Sequence, residues 1–173
     1  MLIAQIKSLI RDVPDFPKPG ILFKDITPLL ADARGFGLAI NLLADLIQPH
    51  APAGLVAIES RGFIFGAALA QRLKLPLLPV RKPGKLPART VSASYQLEYG
   101  SDKVEMHADA VNQGQTYVIV DDLIATGGTA EAAARLVEMQ GGRVAGCVFL
   151  IELGFLKGRE RLTGRSVASV LQY

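Results

Sequence analysis

Cysteine occurs once in this sequence of 173 residues, at Cys147. A single thiol excludes a disulfide or a cysteine zinc site within the chain. It lies in an apolar run, residues 144–151, where cysteine is typical of a small core residue. We therefore predict a structure that depends on its hydrophobic core and functions in the reducing cytoplasm.

Long apolar runs and basic runs interleaved with aromatic residues are also missing. The apolar N-terminal stretch, residues 1–10, is broken by Gln5, Lys7 and Ser8, so it is too short and too polar for a signal peptide or membrane span. Half of the residues are hydrophobic and the net charge is only +3. We expect one soluble domain over residues 1–173, with no membrane or nucleic-acid partner.

One stretch, residues 117–130, combines three features in order. A β-branched apolar run typical of a buried strand stops at two acids, and a Gly-Gly turn precedes a helix-forming segment, residues 131–139. Such a turn offers N–H groups and the positive end of the helix dipole to an anion. We expect a phosphate here, bound by Thr126, Gly127, Gly128 and Thr129.

The two acids, Asp121 and Asp122, cannot bind that phosphate because carboxylates repel it. They suit the hydroxyls of an attached sugar or a magnesium ion beside it, so the stretch predicts a ribose phosphate. Taken singly, the two acids also fit a solvated loop with a helix N-cap, and the two glycines also fit an ordinary turn. No lysine follows the glycines, which disfavours a P-loop for nucleoside triphosphates.

The remaining patterns predict strands that alternate with helices, hence a central, mostly parallel sheet with helices on both faces and strand ends meeting at one edge. Helices are expected at 1–11, at 32–48, from the polar turn 59–66 to about residue 73, and at 131–140. Strands are expected at 55–58, 76–80, 117–120, 144–151 and 167–171, and a projecting hairpin at 90–98 with 103–107. The proline-rich, apolar segment 15–30 is either a rigid flap over a ligand or a fixed arm on the core.

Cations follow two of the predicted strands. Arg61 begins a helix, where the dipole disfavours positive charge, so a compensating anion is expected. Arg81, Lys82 and Lys85 lie within five residues and would repel one another unless they are solvated or face an anion.

Several motifs together resemble the adenine phosphoribosyltransferase family, which has the type I phosphoribosyltransferase fold. They are Phe-Pro-Lys-Pro-Gly at 16–20, Phe-Lys-Asp-Ile at 23–26, Glu-Ser-Arg-Gly at 59–62, the basic segment 81–87, the segment 94–100, the stretch 121–129 and the ending 169–173. Lys24 stands where many members carry arginine. The resemblance implies an N-terminal hood over 1–33, a mobile catalytic hairpin over 81–107 and a homodimer.

The resemblance further implies transfer of the 5-phosphoribosyl group from phosphoribosyl pyrophosphate to adenine, giving AMP and pyrophosphate with Mg²⁺. Asp121 and Asp122 would bind the ribose, and Ala125 to Thr129 the 5′-phosphate. The metal would be held mainly by the donor's pyrophosphate and hydroxyls, with no certain protein ligand. The pyrophosphate charge would fall to Arg61, Arg81 and Lys85, and less to Lys82.

The resemblance also implies which residues bind adenine and which residue handles its proton. Adenine would lie between Phe23 and Leu153, with the backbone of Leu22 and Lys24 reading its edge. Glu98 would handle the proton, and Tyr99 would close over the site. The family's loop at Glu59–Ser60 predicts a cis peptide bond there.

Two alternatives remain open. A sibling transferase for a 6-oxopurine or orotate would share the stretch at 121–129. A regulator that binds phosphoribosyl pyrophosphate and nucleic acid would need a DNA-binding domain or a basic face, and the roughly fifty residues before the first predicted strand contain no helix-turn-helix pattern.

Overall fold

The computed structural model describes residues 2–96 and 101–173. The chain divides into two compact units, Met1–Leu42 and Leu43–Tyr173, with the boundary inside one helix. None of the described helices is long and apolar enough to cross a bilayer.

The first unit contains a short antiparallel strand pair between helices. Its elements are α1 (Leu2–Ser8), β1 (Arg11–Pro14), β2 (Leu22–Asp25), α2 (Thr27–Ala31) and the start of α3 (Ala33–Ile47). The predicted helix over 1–11 is too long, because Arg11 already pairs with Asp25 in the strand ladder and lies 3.3 Å from its carboxylate. The two strands also correct the expectation that some fifty residues precede the first strand.

The proline-rich segment connects these strands through a tight turn. Phe16–Pro17 is a cis peptide bond, and Gly20 adopts a left-handed φ of 86° while its N–H donates to Asp15 Oδ1 at 2.8 Å. The rings of Phe16 and Phe23 meet edge to face with centroids 5.0 Å apart. The segment is therefore a locally ordered hairpin with its own aromatic contact.

The second unit contains the rest of the chain's described strands and helices. They are β3 (Gly54–Ile58), α4 (Gly62–Leu73), β4 (Leu77–Val80), β5 (Thr90–Gln96), β6 (Ser101–His107), β7 (Thr116–Ile124), α5 (Gly128–Met139), β8 (Arg143–Glu152) and β9 (Ser166–Gln172). Five of the strands form a sheet in the order β4-β3-β7-β8-β9, in which every neighbouring pair is parallel. Helices α4 and α5 flank this sheet, which confirms the predicted α/β class.

Strand β7 is longer than its apolar run predicts. We expected it to stop at the acids, but it continues through them, and its Leu123 and Ile124 pair with Ile151 and Glu152 of β8. The acidic pair therefore belongs to a strand and is held by its neighbours. Their side chains therefore start from backbone that the sheet fixes.

The hairpin β5–β6 contributes to the core along its described part. Ala93, Tyr95, Val104 and Met106 are buried in one cluster with alanines of α5. Cys147 is also fully buried in that cluster, and burial raises the pKa of its thiol to about 12. The predicted core role of this cysteine is confirmed.

Candidate active site

The loop between β7 and α5, residues 125–129, is called the phosphate loop below. With Asp121, Leu123 and Phe149 it lines an open cleft at the carboxyl edge of the sheet. Gly127 adopts a left-handed φ of 81°, and no side chain in the described chain caps α5. Because a helix leaves its first N–H groups without intrahelical partners, this helix start can bind an anion.

The acidic pair lies directly before this loop. The Asp122 N–H donates to Asp121 Oδ1 at 2.8 Å, and Arg61 Nη2 lies 2.9 Å from Asp122 Oδ2. Burial raises the pKa of Asp121, and the neighbouring Asp122 charge raises it further. Burial also raises the pKa of Asp122, while Arg61 counteracts the shift. Both carboxylates are short of solvation, so hydroxyl donors from a sugar would stabilise their charged forms.

The loop between β3 and α4 packs against the acidic pair. A Cβ on Gly62 would lie 2.5 Å from Asp121 Oδ1 and 3.2 Å from its Cα, so only glycine allows this approach. Glu59–Ser60 is cis, as predicted. The compensating anion expected for Arg61 is found within the chain, because Asp122 supplies it.

The basic segment after β4 is tied to acids. Arg81 Nε donates to Glu59 Oε2 at 3.0 Å, and the Lys82 N–H donates to the same oxygen at 2.8 Å. Arg81 also donates to the Lys85 carbonyl at 3.2 Å, while the Lys85 side chain is exposed. Glu59 thereby fixes the basic segment to the turn that contains Arg61.

Lys82 is anchored to the hairpin. Its ammonium binds the Asp102 carboxylate and donates to the Tyr95 hydroxyl at 3.0 Å. Partial burial alone would lower the pKa of Lys82, but the hydrogen bonds to Asp102 and Tyr95 outweigh it and raise the pKa. The bond from Lys82 lowers the pKa of Asp102. Sequence reasoning missed both Glu59 and Asp102 as partners, because each lies about twenty residues from its cation.

Strand β8 ends in a buried acid that joins three elements. Arg159 Nε and Nη2 donate to the two carboxylate oxygens of Glu152 at 2.6 Å each. Ser169 Oγ donates to Glu152 Oε2 at 2.7 Å. These hydrogen bonds lower the pKa of Glu152, and the bonds from Arg159 have the largest effect. The next residue, Leu153, donates its N–H to the Ile124 carbonyl at 3.0 Å, beside the phosphate loop.

The predicted base-binding residues of the first unit lie on its hairpin. Phe23 lines an open pocket with Val13, Phe16 and Asp25. Leu22 is exposed, whereas Lys24 is buried and donates to Asp12 Oδ1 at 2.6 Å. Leu153 belongs to the second unit, so the adenine site remains a prediction. Glu98 and Tyr99 lie outside the described residues.

The described side chains include no group of three acids, histidines or cysteines that could hold a metal ion. Two adjacent carboxylates beside an anion-binding loop fit a magnesium ion that keeps waters and phosphate oxygens as its other ligands. The donor set is therefore compatible with an ion delivered by a phosphorylated substrate.

A parallel α/β sheet that carries an acidic pair and an uncapped glycine turn at its carboxyl edge defines a protein that binds a sugar phosphate. Comparison with known proteins narrows this class, since the family model described as "Phosphoribosyl transferase domain" matches residues 30–169. The chain belongs to this family.

Its relatives include named enzymes. The adenine phosphoribosyltransferase of Thermoanaerobacter pseudethanolicus is 53% identical over 173 residues, the whole of both chains. That of Acidobacterium capsulatum is 57% identical over 168 residues, covering 97% of this chain and 93% of the relative.

Solved structures agree with these sequence matches. The crystal structure of the T. pseudethanolicus enzyme matches with a TM-score of 0.97 over 99% of each chain, at 53% identity. The Saccharomyces cerevisiae adenine phosphoribosyltransferase, complexed with an imino-altritol bisphosphate and adenine, matches with a TM-score of 0.91 over 98% of each chain, at 38% identity.

Proposed function

We propose that this protein transfers the 5-phosphoribosyl group from phosphoribosyl pyrophosphate to adenine, forming AMP and pyrophosphate. The observation that carries the proposal is an acidic pair, half-buried Asp121 and buried Asp122, directly before an uncapped phosphate loop. Relatives that match over the whole chain are adenine phosphoribosyltransferases, which supports the choice of reaction.

The donor would bind through its ribose and its 5′-phosphate. Asp121 and Asp122 would accept hydrogen bonds from the ribose hydroxyls, which suits carboxylates whose pKa burial raises. The 5′-phosphate would accept hydrogen bonds from the N–H groups of the phosphate loop. The bound donor would then present its C1′ carbon towards the cations of the neighbouring loops.

Departure of pyrophosphate builds positive charge on the ribose and negative charge on the leaving group. Catalysis would therefore consist mainly of positioning and of electrostatic stabilisation of the pyrophosphate. Arg61, Arg81 and Lys85 would carry this role, with Lys82 as a weaker contributor. Support comes from their shared position at strand ends, where Glu59 already orders the basic segment.

Adenine would bind through Phe23, Leu153 and the backbone of Leu22 and Lys24. An extended backbone offers the 6-amino group an acceptor and N1 a donor. A 6-oxopurine presents the opposite polarity, and each unmatched buried group costs about 1–3 kcal/mol. We therefore expect adenine to be preferred over hypoxanthine and guanine.

Glu98 is proposed to handle the proton that leaves adenine, and Tyr99 to close over the site. Both belong to the segment 81–107, which we propose as the catalytic hairpin, and residues 1–33 form the proposed hood. Excluding water from the reacting centre is the second contribution expected from such a hairpin.

Magnesium would be held mainly by the donor's pyrophosphate and ribose hydroxyls, with Asp121 and Asp122 as the acids directly before the phosphate loop. When bound, the ion neutralises phosphate charge. A homodimer and a cytoplasmic location are further parts of the proposal, and they rest on the family resemblance and on the single buried thiol.

A nucleobase panel tests the function. Purified protein is given phosphoribosyl pyrophosphate with adenine, hypoxanthine, guanine or orotate, each with and without Mg²⁺, and nucleotide formation is followed by chromatography. We expect AMP from adenine with Mg²⁺ and little product otherwise. Equal turnover of a 6-oxopurine would overturn the assignment of the base, and salt-sensitive binding of DNA without AMP formation would favour the regulator.

A further inference from the structure

The phosphate loop packs against a glycine of a neighbouring turn. The 3₁₀ turn Gly158–Leu162 follows β8, and its first residue lies directly against the loop. A Cβ on Gly158 would collide with the Ala125 carbonyl oxygen and would lie 3.0 Å from the Gly127 nitrogen. A Cβ on Gly127 would in turn collide with the Gly158 carbonyl.

Space, not conformation, explains the glycine at 158. Gly127 has a left-handed φ of 81°, which itself favours glycine, whereas Gly158 is not among the residues with positive φ. Any residue could adopt the backbone conformation at 158. Only the missing side chain lets the turn approach the Ala125 carbonyl and the Gly127 N–H.

The turn is fixed and cannot easily retreat. Arg159, the next residue, makes the paired hydrogen bonds to the buried carboxylate of Glu152. Leu162 at the other end is only 1% exposed and belongs to the core cluster that includes α5. A side chain added at 158 would therefore displace the phosphate loop more readily than the turn.

We infer that Gly158 is a positioning residue for the phosphate loop, and that the Arg159–Glu152 pair holds it in place. The turn would set the position of the loop N–H groups, and hence the affinity for a 5′-phosphate, without touching the ligand. The inference rests on the proposed function, because it assumes that this loop binds the donor's 5′-phosphate.

The test compares Gly158→Ala with Gly154→Ala. Gly154 opens the preceding 3₁₀ turn, but a Cβ there meets its nearest atom, the Tyr173 carbonyl oxygen, at an ordinary 3.4 Å. For Gly158→Ala we expect the KM for phosphoribosyl pyrophosphate to rise roughly 10- to 100-fold, since misplacing a binding group by about 1 Å costs up to about 100-fold. The KM for adenine should stay near that of the unaltered protein.

Calorimetry separates the two ends of the donor. Binding of ribose 5-phosphate should weaken in Gly158→Ala by a factor similar to the KM change, while binding of pyrophosphate should not change. A merely structural defect would weaken both. If Gly158→Ala fails to fold, Arg159→Ala replaces it in the test. This variant adds no atom near the loop but releases the turn from Glu152, so it should also raise the KM for the donor.

Two outcomes would overturn the inference. One is an equal donor KM in Gly158→Ala and Gly154→Ala, and the other is an equal loss of affinity for ribose 5-phosphate and pyrophosphate. If the unaltered protein forms no AMP, the proposed function fails instead. The binding of ribose 5-phosphate by the two alanine variants then still decides whether Gly158 positions the loop.

Discussion

Removing Arg159 should destabilise the protein more than removing any neighbouring exposed arginine. Glu152 is only 4% exposed, and Arg159 supplies two of the hydrogen bonds to its carboxylate. Breaking a fully buried ion pair by deleting one partner costs about 3–5 kcal/mol. The Arg159 side chain is 45% exposed, and Ser169 still donates to the acid, so the expected loss is smaller, about 2 kcal/mol.

Arg161 provides the matched control two residues further along the same turn. Its guanidinium lies 3.9 Å from Glu131, and both side chains are substantially exposed. Such a pair contributes about 0–1 kcal/mol. The measurement is urea unfolding of Arg159→Ala and Arg161→Ala at one protein concentration. Equal losses in the two variants would refute the view that Glu152 depends on its arginine.

The pH dependence gives this prediction a second readout. The folded-state pKa of Glu152 lies below its unfolded value, so the carboxylate stabilises the fold above about pH 4.3 and this contribution is lost as pH falls through the lower, folded pKa. Arg159 is the largest cause of the shift. The difference in unfolding free energy between the unaltered protein and Arg159→Ala should therefore narrow as the pH falls below about 4. A difference that stays constant to acid would contradict this cause.

Three further predictions concern other parts of the chain. Gly37→Ala should raise the unfolding free energy by about 0.5–1 kcal/mol in urea titrations, because Gly37 lies inside α3 and a Cβ there meets nothing within 4 Å; a loss of stability would contradict it. Asp121→Asn should weaken ribose 5-phosphate binding in calorimetry yet preserve or raise the melting temperature at pH 7, because a carboxyl whose pKa is raised in the fold opposes folding above its unfolded pKa; a marked fall in melting temperature would show that its charge is structural. Glu98→Gln should lower kcat for AMP formation, and unchanged turnover would remove Glu98 from the proton transfer.

The sequence predicts the second unit well because its strands and helices carry strong periodic patterns. The predicted helix ends at residue 73, as α4 does, although α4 already begins at Gly62 inside the predicted polar turn. Predicted strand 144–151 lies one residue inside each end of β8. Runs of apolar residues indicate buried elements, so the type and position of these strands and helices follow from the local sequence.

The first unit and the contacts of the site are less accessible to such reasoning. Strands β1 and β2 have only four residues each, and β1 is mostly exposed while β2 buries its lysine and exposes its leucine. No alternation of apolar and polar residues marks them, and only their mutual pairing makes them strands. The partner of Arg81 lies 22 positions away in sequence. Likewise, Gly158 shows in the sequence only as one of 17 glycines, because its reason is a backbone contact with residue 125.

Three of the cations at the sheet edge have protein carboxylates as partners, and this bears on how a pyrophosphate would bind there. Arg61 lies against Asp122, Arg81 against Glu59, and Lys82 binds an acid of the hairpin. A pyrophosphate must compete with these acids, which lowers its net gain from each cation. The same pairs hold the cations at defined positions, so less side-chain entropy is lost when they turn to a ligand. We therefore expect Glu59→Gln to loosen the basic segment. The lost positioning of the cations should lower the affinity for pyrophosphate by more than the freed positive charge raises it.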